Sequence, residues 1–508
     1  MTQYGTQNYG FEKDNYAQID EAKSGQQMES SSPPPYNTVV KQENPQAPMS
    51  TLRILKNIGV VSFGFLCLFT SFQSLSNLQS SLNREDGLGV GGLAVLYGAL
   101  VISCMFVPPV FIARVGCKWT VVFSMMCYIL YMVANFYAVW GTIVPSAIIL
   151  GLGAAPLWSA KCTYLTETGV WYARLTGKTE DDVINRFFGF FFMLFQTGQI
   201  WGNLLSSMIF QKEDSNITDA DLLTCGAKFC PSADVNNSNL DKPDMDKIYT
   251  LCGIYVGFAV LAVLVVIALL DPITLEREEG QQRQFSFHLV LETFRHLVNS
   301  RYQVMLVVLT MYSGIEQAFI AGDYTQSFVA CALGIENIGF VMICYGVVDA
   351  VCSFAFGRLV QFVGHIPFFL LAFVVHLGLQ VTFQFWNPHP DYVVLFYVFA
   401  ALWGMGDAVI QTQINALYGF LWTKDSEAAF ANYRLWESLG FIIAFATQKF
   451  LCTDKKLYIC KSFLVVGMLL YAAVEVLHRQ EQRQKNVSNG PEAIKQPMSS
   501  IEPQTTKM

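Results

Sequence analysis

The chain has 508 residues, of which 53% are hydrophobic, 14% aromatic and only 14% charged, with a formal net charge of -7. So few charges cannot solvate a globular surface of this size, and most of the chain must meet lipid instead. Acidic residues are spread over tails and loops and point to no charged partner, and no stretch mixes dense Lys/Arg with stacking aromatics, which argues against nucleic-acid binding.

The first 51 residues form a polar tail that lacks the basic, then apolar, then small-residue order of a cleavable signal peptide, so the first span is expected to direct insertion. The tail is rich in Ser, Gln and Pro and is expected to be disordered. It carries Pro33-Pro34-Pro35-Tyr36, which fits the Pro-Pro-x-Tyr pattern read as a polyproline II helix by WW domains and suggests a WW-domain ubiquitin ligase as partner. Tyr36-Asn37-Thr38-Val39 overlaps it and also fits a tyrosine sorting signal.

About twenty mainly apolar residues are needed to cross a bilayer. Twelve stretches qualify, near 55–78, 90–112, 119–140, 142–165, 184–210, 248–270, 302–328, 337–360, 366–386, 391–417, 428–451 and 459–477. Arg53, Lys56, Arg114, Lys118, Arg174, Lys178, Arg277, Arg283, Arg479 and Arg483 all fall on one side of this count, which predicts cytoplasmic termini. Arg84, Lys455, Lys456 and Lys461 fall on the other side, so the rule holds in aggregate. The loop at 211–247 carries two glycosylation triplets, at Asn216 and Asn236, on the predicted outer side. Cys225 and Cys230 lie in the same loop, where a short-range disulfide between them is expected. Cys252, Cys331, Cys452 and Cys460 also sit near outer ends, so the pairing is not fixed by the sequence, and the cysteines within apolar runs read as small buried apolar residues.

The second half repeats the first. A shift of 248 positions aligns Gly91 with Gly339, Tyr97-Gly98 with Tyr345-Gly346, Cys104 with Cys352, Phe106 with Phe354 and Val115-Gly116 with Val363-Gly364. Gly151 and Gly153 face Gly404 and Gly406 more weakly. The expected organisation is a six-helix bundle over 52–270, a cytoplasmic linker over 271–301, a second bundle over 302–478 and a tail over 479–508. Two parallel six-helix halves are the plan of the major facilitator superfamily, an all-α integral membrane fold.

Gly87-Leu88-Gly89-Val90-Gly91-Gly92 follows no strand and is not a dinucleotide loop. Gly198-x-x-x-Gly202 and Gly253-x-x-x-Gly257 read as places where helix backbones approach closely. No nucleotide, metal or hydrolase motif is present, so neither an enzyme nor a cofactor is expected. Polar groups at bilayer depth are more informative, because each must face the bundle interior, a partner or water. Gln196, Gln199 and Asn203 form one such stripe, and Asp407, Gln411 and Asn415 another, with Gln73 and Asn77 on the first span. Acids collect in the second half at Glu316, Asp323, Asp349, Asp407 and Glu437, the last one turn from Arg434. They are candidates for a cation or proton site, or for interhelical hydrogen bonds. Lys161 is expected to snorkel from the inner end of the fourth span, and the Phe187–Phe192 run to be lipid-facing and packing surface.

Three long strings carry a resemblance: Leu150 through Pro156-Leu157-Trp158 to Leu165, Leu402-Trp403-Gly404 through Gln411-Thr412-Gln413 to Gly419, and Glu427 through Tyr433-Arg434 to Gly440. They resemble the Uncoordinated-93 family over roughly 52–478, most closely its animal A-type members. The resemblance implies a multi-pass protein of the plasma membrane, or alternatively of endosomes or lysosomes, that regulates two-pore-domain potassium channels. A secondary transporter of a small solute or cation and a trafficking chaperone for membrane receptors are the alternatives. The family supplies no agreed functional residues, so the candidate site rests on the polar groups named above.

Overall fold

The computed structural model describes residues 49–211, 219–231, 237–273, 295–422 and 426–488. Pro33, Pro34, Tyr36, Asn216 and Asn236 lie outside the described residues. Each of the twelve apolar stretches is helical: α1 Thr51–Leu82; α2 and α3, the parts of Leu88–Ala134 before and after Gly116; α4 Trp140–Thr176; α5 Glu180–Phe210; α6 Met245–Leu269; α7 from Arg301; α8 Asn337–Val363; α9 Ile366–Phe385; α10 Val393–Leu421; α11 Ser426–Gln448; α12 Thr453–Ser488. Among the described residues ten helices are long and apolar enough to span a membrane. The two outside that number, α5 and α11, carry the stripe Gln196, Gln199 and Asn203 and the pair Arg434 and Glu437. The α5 stripe meets α1 and α8, and Glu437 of α11 accepts from Ser313 of α7.

The repeat read from sequence is visible in the backbone. Gly116 breaks α2 from α3 at φ 76°, and its repeat mate Gly364 ends α8 at φ 77°. A side chain is strained in this region, so glycine makes both corners. A Cβ on Gly151 of α4 would lie 2.4 Å from Leu96 O of α2, and one on Gly404 of α10 would lie 2.5 Å from Tyr345 O of α8. Gly153 and Gly406 press in the same way on Cys127 of α3 and His376 of α9. Both halves therefore wedge their fourth helix between their second and third through paired glycines.

Between the halves α5 packs on α8, with a Cβ on Gly339 placed 2.1 Å from Asn203 O and Phe340 N–H donating to Ser207 Oγ at 3.1 Å. The symmetric contact joins α2 to α11, where Tyr97 stacks on Phe441 with centroids 4.2 Å apart. Pro156 cannot donate to Leu152 O within α4, and Ser103 Oγ of α2 donates to that carbonyl instead at 2.7 Å.

At the end where α1 begins, Asp271 takes Arg53 Nε at 2.6 Å and Lys56 Nζ at 2.8 Å. The Arg53 hydrogen bond holds the Asp271 carboxyl well below the usual carboxylate range. Lys56 and Lys118 also donate to the last carbonyls of α6, Leu269 O at 2.7 Å and Ile267 O at 2.8 Å, where the helix dipole favours cations.

The opposite end is covered by the α5–α6 loop. Its cysteines do not pair with each other: Cys225 joins Cys331 at the end of α7, and Cys230 joins Cys452 between α11 and α12. A tight turn at Gly226–Lys228 separates the two sulfurs and buries Phe229 between them. Thr453 N–H donates to Phe229 O at 2.9 Å, and Arg84 lies over the Phe229 ring at 5.6 Å. The loop is thus a strap that leaves the first half and is fixed covalently to the second. Gln326 Nε2 of α7 donates to Ser80 O of α1 at 2.5 Å beneath it, joining the halves again.

Candidate functional site in the second half

The acids expected to form one group are divided by the course of α7. The helix runs from Arg301 to Ala318, widens into a π-helix over Phe319–Ala330 and ends at Leu333. Widened turns recur at functional positions. Asp323 lies within the widened part and Glu316 before it, and the two acids meet different neighbours.

Glu316 is fully buried and accepts from Trp403 Nε1 of α10 at 2.7 Å through Oε2. One turn after Trp403, Asp407 accepts from the Tyr345 hydroxyl of α8. Glu316 Oε1 and Asp407 Oδ1 are both buried with no donor among the described residues. His376 of α9 closes the group from behind. Its Nε2 lies 3.1 Å from Trp403 O, which can only accept, so Nε2 carries the proton. Nδ1 is then the acceptor for the Tyr312 hydroxyl at 2.7 Å, and Gln380 Nε2 donates to the same hydroxyl at 3.0 Å. These bonds lock the imidazole, and the indole stacked on it, behind Glu316.

Asp349 is half-buried and stands at the α5–α8 contact, taking Gln196 Nε2 at 3.4 Å and Ser353 Oγ at 3.3 Å. Glu437 is neutralised as expected, with Arg434 Nη1 at 2.7 Å, and it also accepts from Tyr433 at 2.9 Å and Ser313 at 3.2 Å. Gln411 donates to Ser313 Oγ at 2.8 Å, and Asn415 donates to Gln411 O at 2.6 Å. The α10 stripe therefore splits: Asp407 joins Glu316, while Gln411 and Asn415 join the Glu437 network. Asp323 is paired with the buried Lys456 of α12, outside both groups. The sequence alone places Lys456 among outer loop charges, since its partner is 133 positions away.

The first-half stripes meet one another. Asn77 Nδ2 of α1 donates to Asn203 Oδ1 at 3.3 Å and Gln199 Oε1 at 3.4 Å, and Asn203 Nδ2 donates to Gln199 Oε1 at 3.0 Å. The close approach expected at Gly198 and Gly202 is present, with a Cβ on Gly202 placed 1.8 Å from Thr70 O. At Gly253 and Gly257 it is absent, since nothing lies within 4 Å of either position. Lys161 does not snorkel: α4 continues to Thr176, and the side chain is 1% exposed. Tyr312, His376, Gln380 and Trp403 escaped notice in the sequence, because uncharged side chains in apolar runs look like packing.

Glu316 and Asp407 are buried in the second of two pseudo-symmetric halves, and the comparisons agree on the architecture. The family described as "Ion channel regulatory protein UNC-93" matches residues 82–472. The chain belongs to the UNC-93 family. It is 48% identical over 439 residues to the Xenopus laevis unc-93 homolog A, covering 85% of this chain and 95% of that protein. The human unc-93 homolog A is 47% identical, covering 83% and 93%. A Caenorhabditis elegans UNC-93 relative whose description names potassium channel regulation is 38% identical, covering 83% of this chain and 61% of its own. Among solved structures, the nucleoside transporter NupG superposes with a TM-score of 0.60 at 13% identity, over 83% of this chain and 99% of that one. The peptide transporter POT superposes with a TM-score of 0.55 at 12% identity, over 85% and 99%. The UNC-93 chain thus has the fold of major facilitator transporters, and that likeness establishes the fold alone.

Proposed function

We propose that this UNC-93 protein is a non-catalytic regulatory subunit of potassium channels, two-pore-domain channels in particular, at the plasma membrane with both termini cytoplasmic. The observation that carries the reading is the match to the nematode relative over most of the chain. The strap supports it: a partner on the outer side meets a surface fixed by two covalent links, whereas a transport cycle requires that end to open. Currents from a two-pore-domain channel should change in amplitude or gating when the protein is co-expressed. Unaltered currents with both proteins demonstrated at the surface would remove the proposal.

A second reading, transport of a cation or of a solute with a proton, is favoured by Glu316 and Asp407. Each carboxyl has one buried oxygen without a donor, which a proton or small cation would satisfy. Proteoliposomes containing only this protein test it by uptake, which the first reading expects to be nil. For the tail, a WW-domain ubiquitin ligase acting on Pro33, Pro34 and Tyr36 is the partner we propose. Tyr36→Ala should lengthen surface half-life, and an unchanged half-life counts against it.

A further inference from the structure

Both α11 and α12 are anchored on one turn of α7. A Cβ on Gly440 of α11 would lie 2.1 Å from Met311 O, and one on Gly467 of α12 would lie 3.0 Å from Leu309 Cα. From that turn toward the strap the two helices part, and a cavity of about 290 Å³ opens between them with α7 as its floor. Ile315, Phe319 and Asp323 of the floor are buried, whereas the walls, Ile443 and Ala444 of α11 and Ile459 of α12, are half-buried. α11 otherwise packs on α2, and α12 on α9, so the gap between them faces the membrane. Asp323 and Lys456 line the cavity at its strap end, bonded to each other and 2% and 5% exposed. Lys456 gives one N–H to Asp323, and its other two find no acceptor among the described residues. Gln448, buried against Gly322 beside this pair, has neither amide atom bonded. A buried ion pair repays its desolvation only when its remaining donors and acceptors are also met. This one keeps unused hydrogen-bonding capacity at the end of an apolar cleft.

We propose that the cleft between α11 and α12 binds a sterol, with its hydroxyl at Asp323 and Lys456 and its rings against the aliphatic walls. The pair is neutral overall. A phosphate or carboxylate head would be repelled by Asp323 and an ammonium head by Lys456, whereas a hydroxyl donates to one and accepts from the other. Ile315, Ile443 and Ile459 are stiff at χ1 and offer a fixed surface that suits a rigid ring system better than a mobile chain. The cavity is small for enclosing a whole ligand, so the ring end enters and the tail stays in the bilayer. This goes beyond channel regulation and does not depend on it.

The test uses the full chain in phosphatidylcholine nanodiscs that contain cholesterol carrying a photoreactive diazirine on its rings and a free hydroxyl. After illumination, crosslinks should map to 443–447 and 456–460. Excess cholesterol should compete them away, and its methyl ether, which cannot donate, should not. A diazirine-bearing phosphatidylcholine should leave these segments unlabelled. Ala444→Trp fills the cleft from a half-buried position and should abolish the labelling while the protein stays monodisperse on size exclusion. If that variant does not fold, Asp323→Leu combined with Lys456→Met decides, because it exchanges the ion pair for apolar side chains and keeps the cleft. Cholesterol and its methyl ether should then compete equally. No crosslink at these segments, equal competition by the ether in wild type, equal labelling by the phospholipid, or a hydroxyl preference that survives loss of the ion pair would overturn the proposal.

Discussion

Cutting the chain at a protease site placed within 274–294 should leave its halves joined on a non-reducing gel, and they should separate only after reductant. Cys225–Cys331 and Cys230–Cys452 close loops of 106 and 222 positions, and both bridges cross the cut. A Cys225–Cys230 bridge, the pairing suggested by spacing alone, would release the halves without reductant, so the gel decides between the two arrangements. Bridges over such loops remove about 2–5 kcal/mol of chain entropy from the unfolded state. The lower end applies here, because inserted helices already restrict the chain ends. Replacing all four cysteines by serine should therefore remove about 4 kcal/mol, seen as a collapse of monodisperse protein on size exclusion. Replacing the free and buried Cys67 should not.

Local features were legible in the sequence, and features made by distant encounters were not. A span announces itself through its own twenty residues, and the repeat through glycines that make the same corner or wedge twice, as Gly116 and Gly364 do. Positions 225 and 230 say nothing about 331 and 452, because the strap that carries them across has no periodic pattern. The same limit affected the acids. Their positions on α7 do not show that Asp323, within the π-helix over Phe319–Ala330, meets Lys456 of α12 while Glu316 meets Trp403 of α10. Lys161 was misplaced because its helix outlasts its apolar run. Thr176 is 15 positions further on, roughly 22 Å along the axis, beyond the reach of a lysine stem. What made the site recognisable was charge at bilayer depth; what hid most of it was that Tyr312, His376, Gln380 and Trp403 become a polar cluster only when three helices converge.

The two Gly-x-x-x-Gly segments make a paired prediction, since one motif should respond to the same substitution with opposite signs. On α5, the Cβ of Gly202→Ala would stand 1.8 Å from Thr70 O and 2.9 Å from Ser74 Cβ, both on α1. The first obstacle is backbone and cannot rotate away, so α1 and α5 would have to separate. Separation also strains the Tyr255 hydroxyl, which donates to Gly202 O at 2.9 Å and meets Ser74 Oγ at 2.5 Å, tying α6 to the same contact. The expected loss is about 3 kcal/mol, at the high end for one added methyl because three helices share the site. On α6, Gly253→Ala meets nothing within 4 Å. There the methyl only restricts the unfolded chain, and stability should rise by up to about 1 kcal/mol. Thermal unfolding of the two variants in one detergent should place them on opposite sides of wild type. Equal destabilisation would mean that α6 also packs through its glycines, against a partner that the isolated chain does not contain.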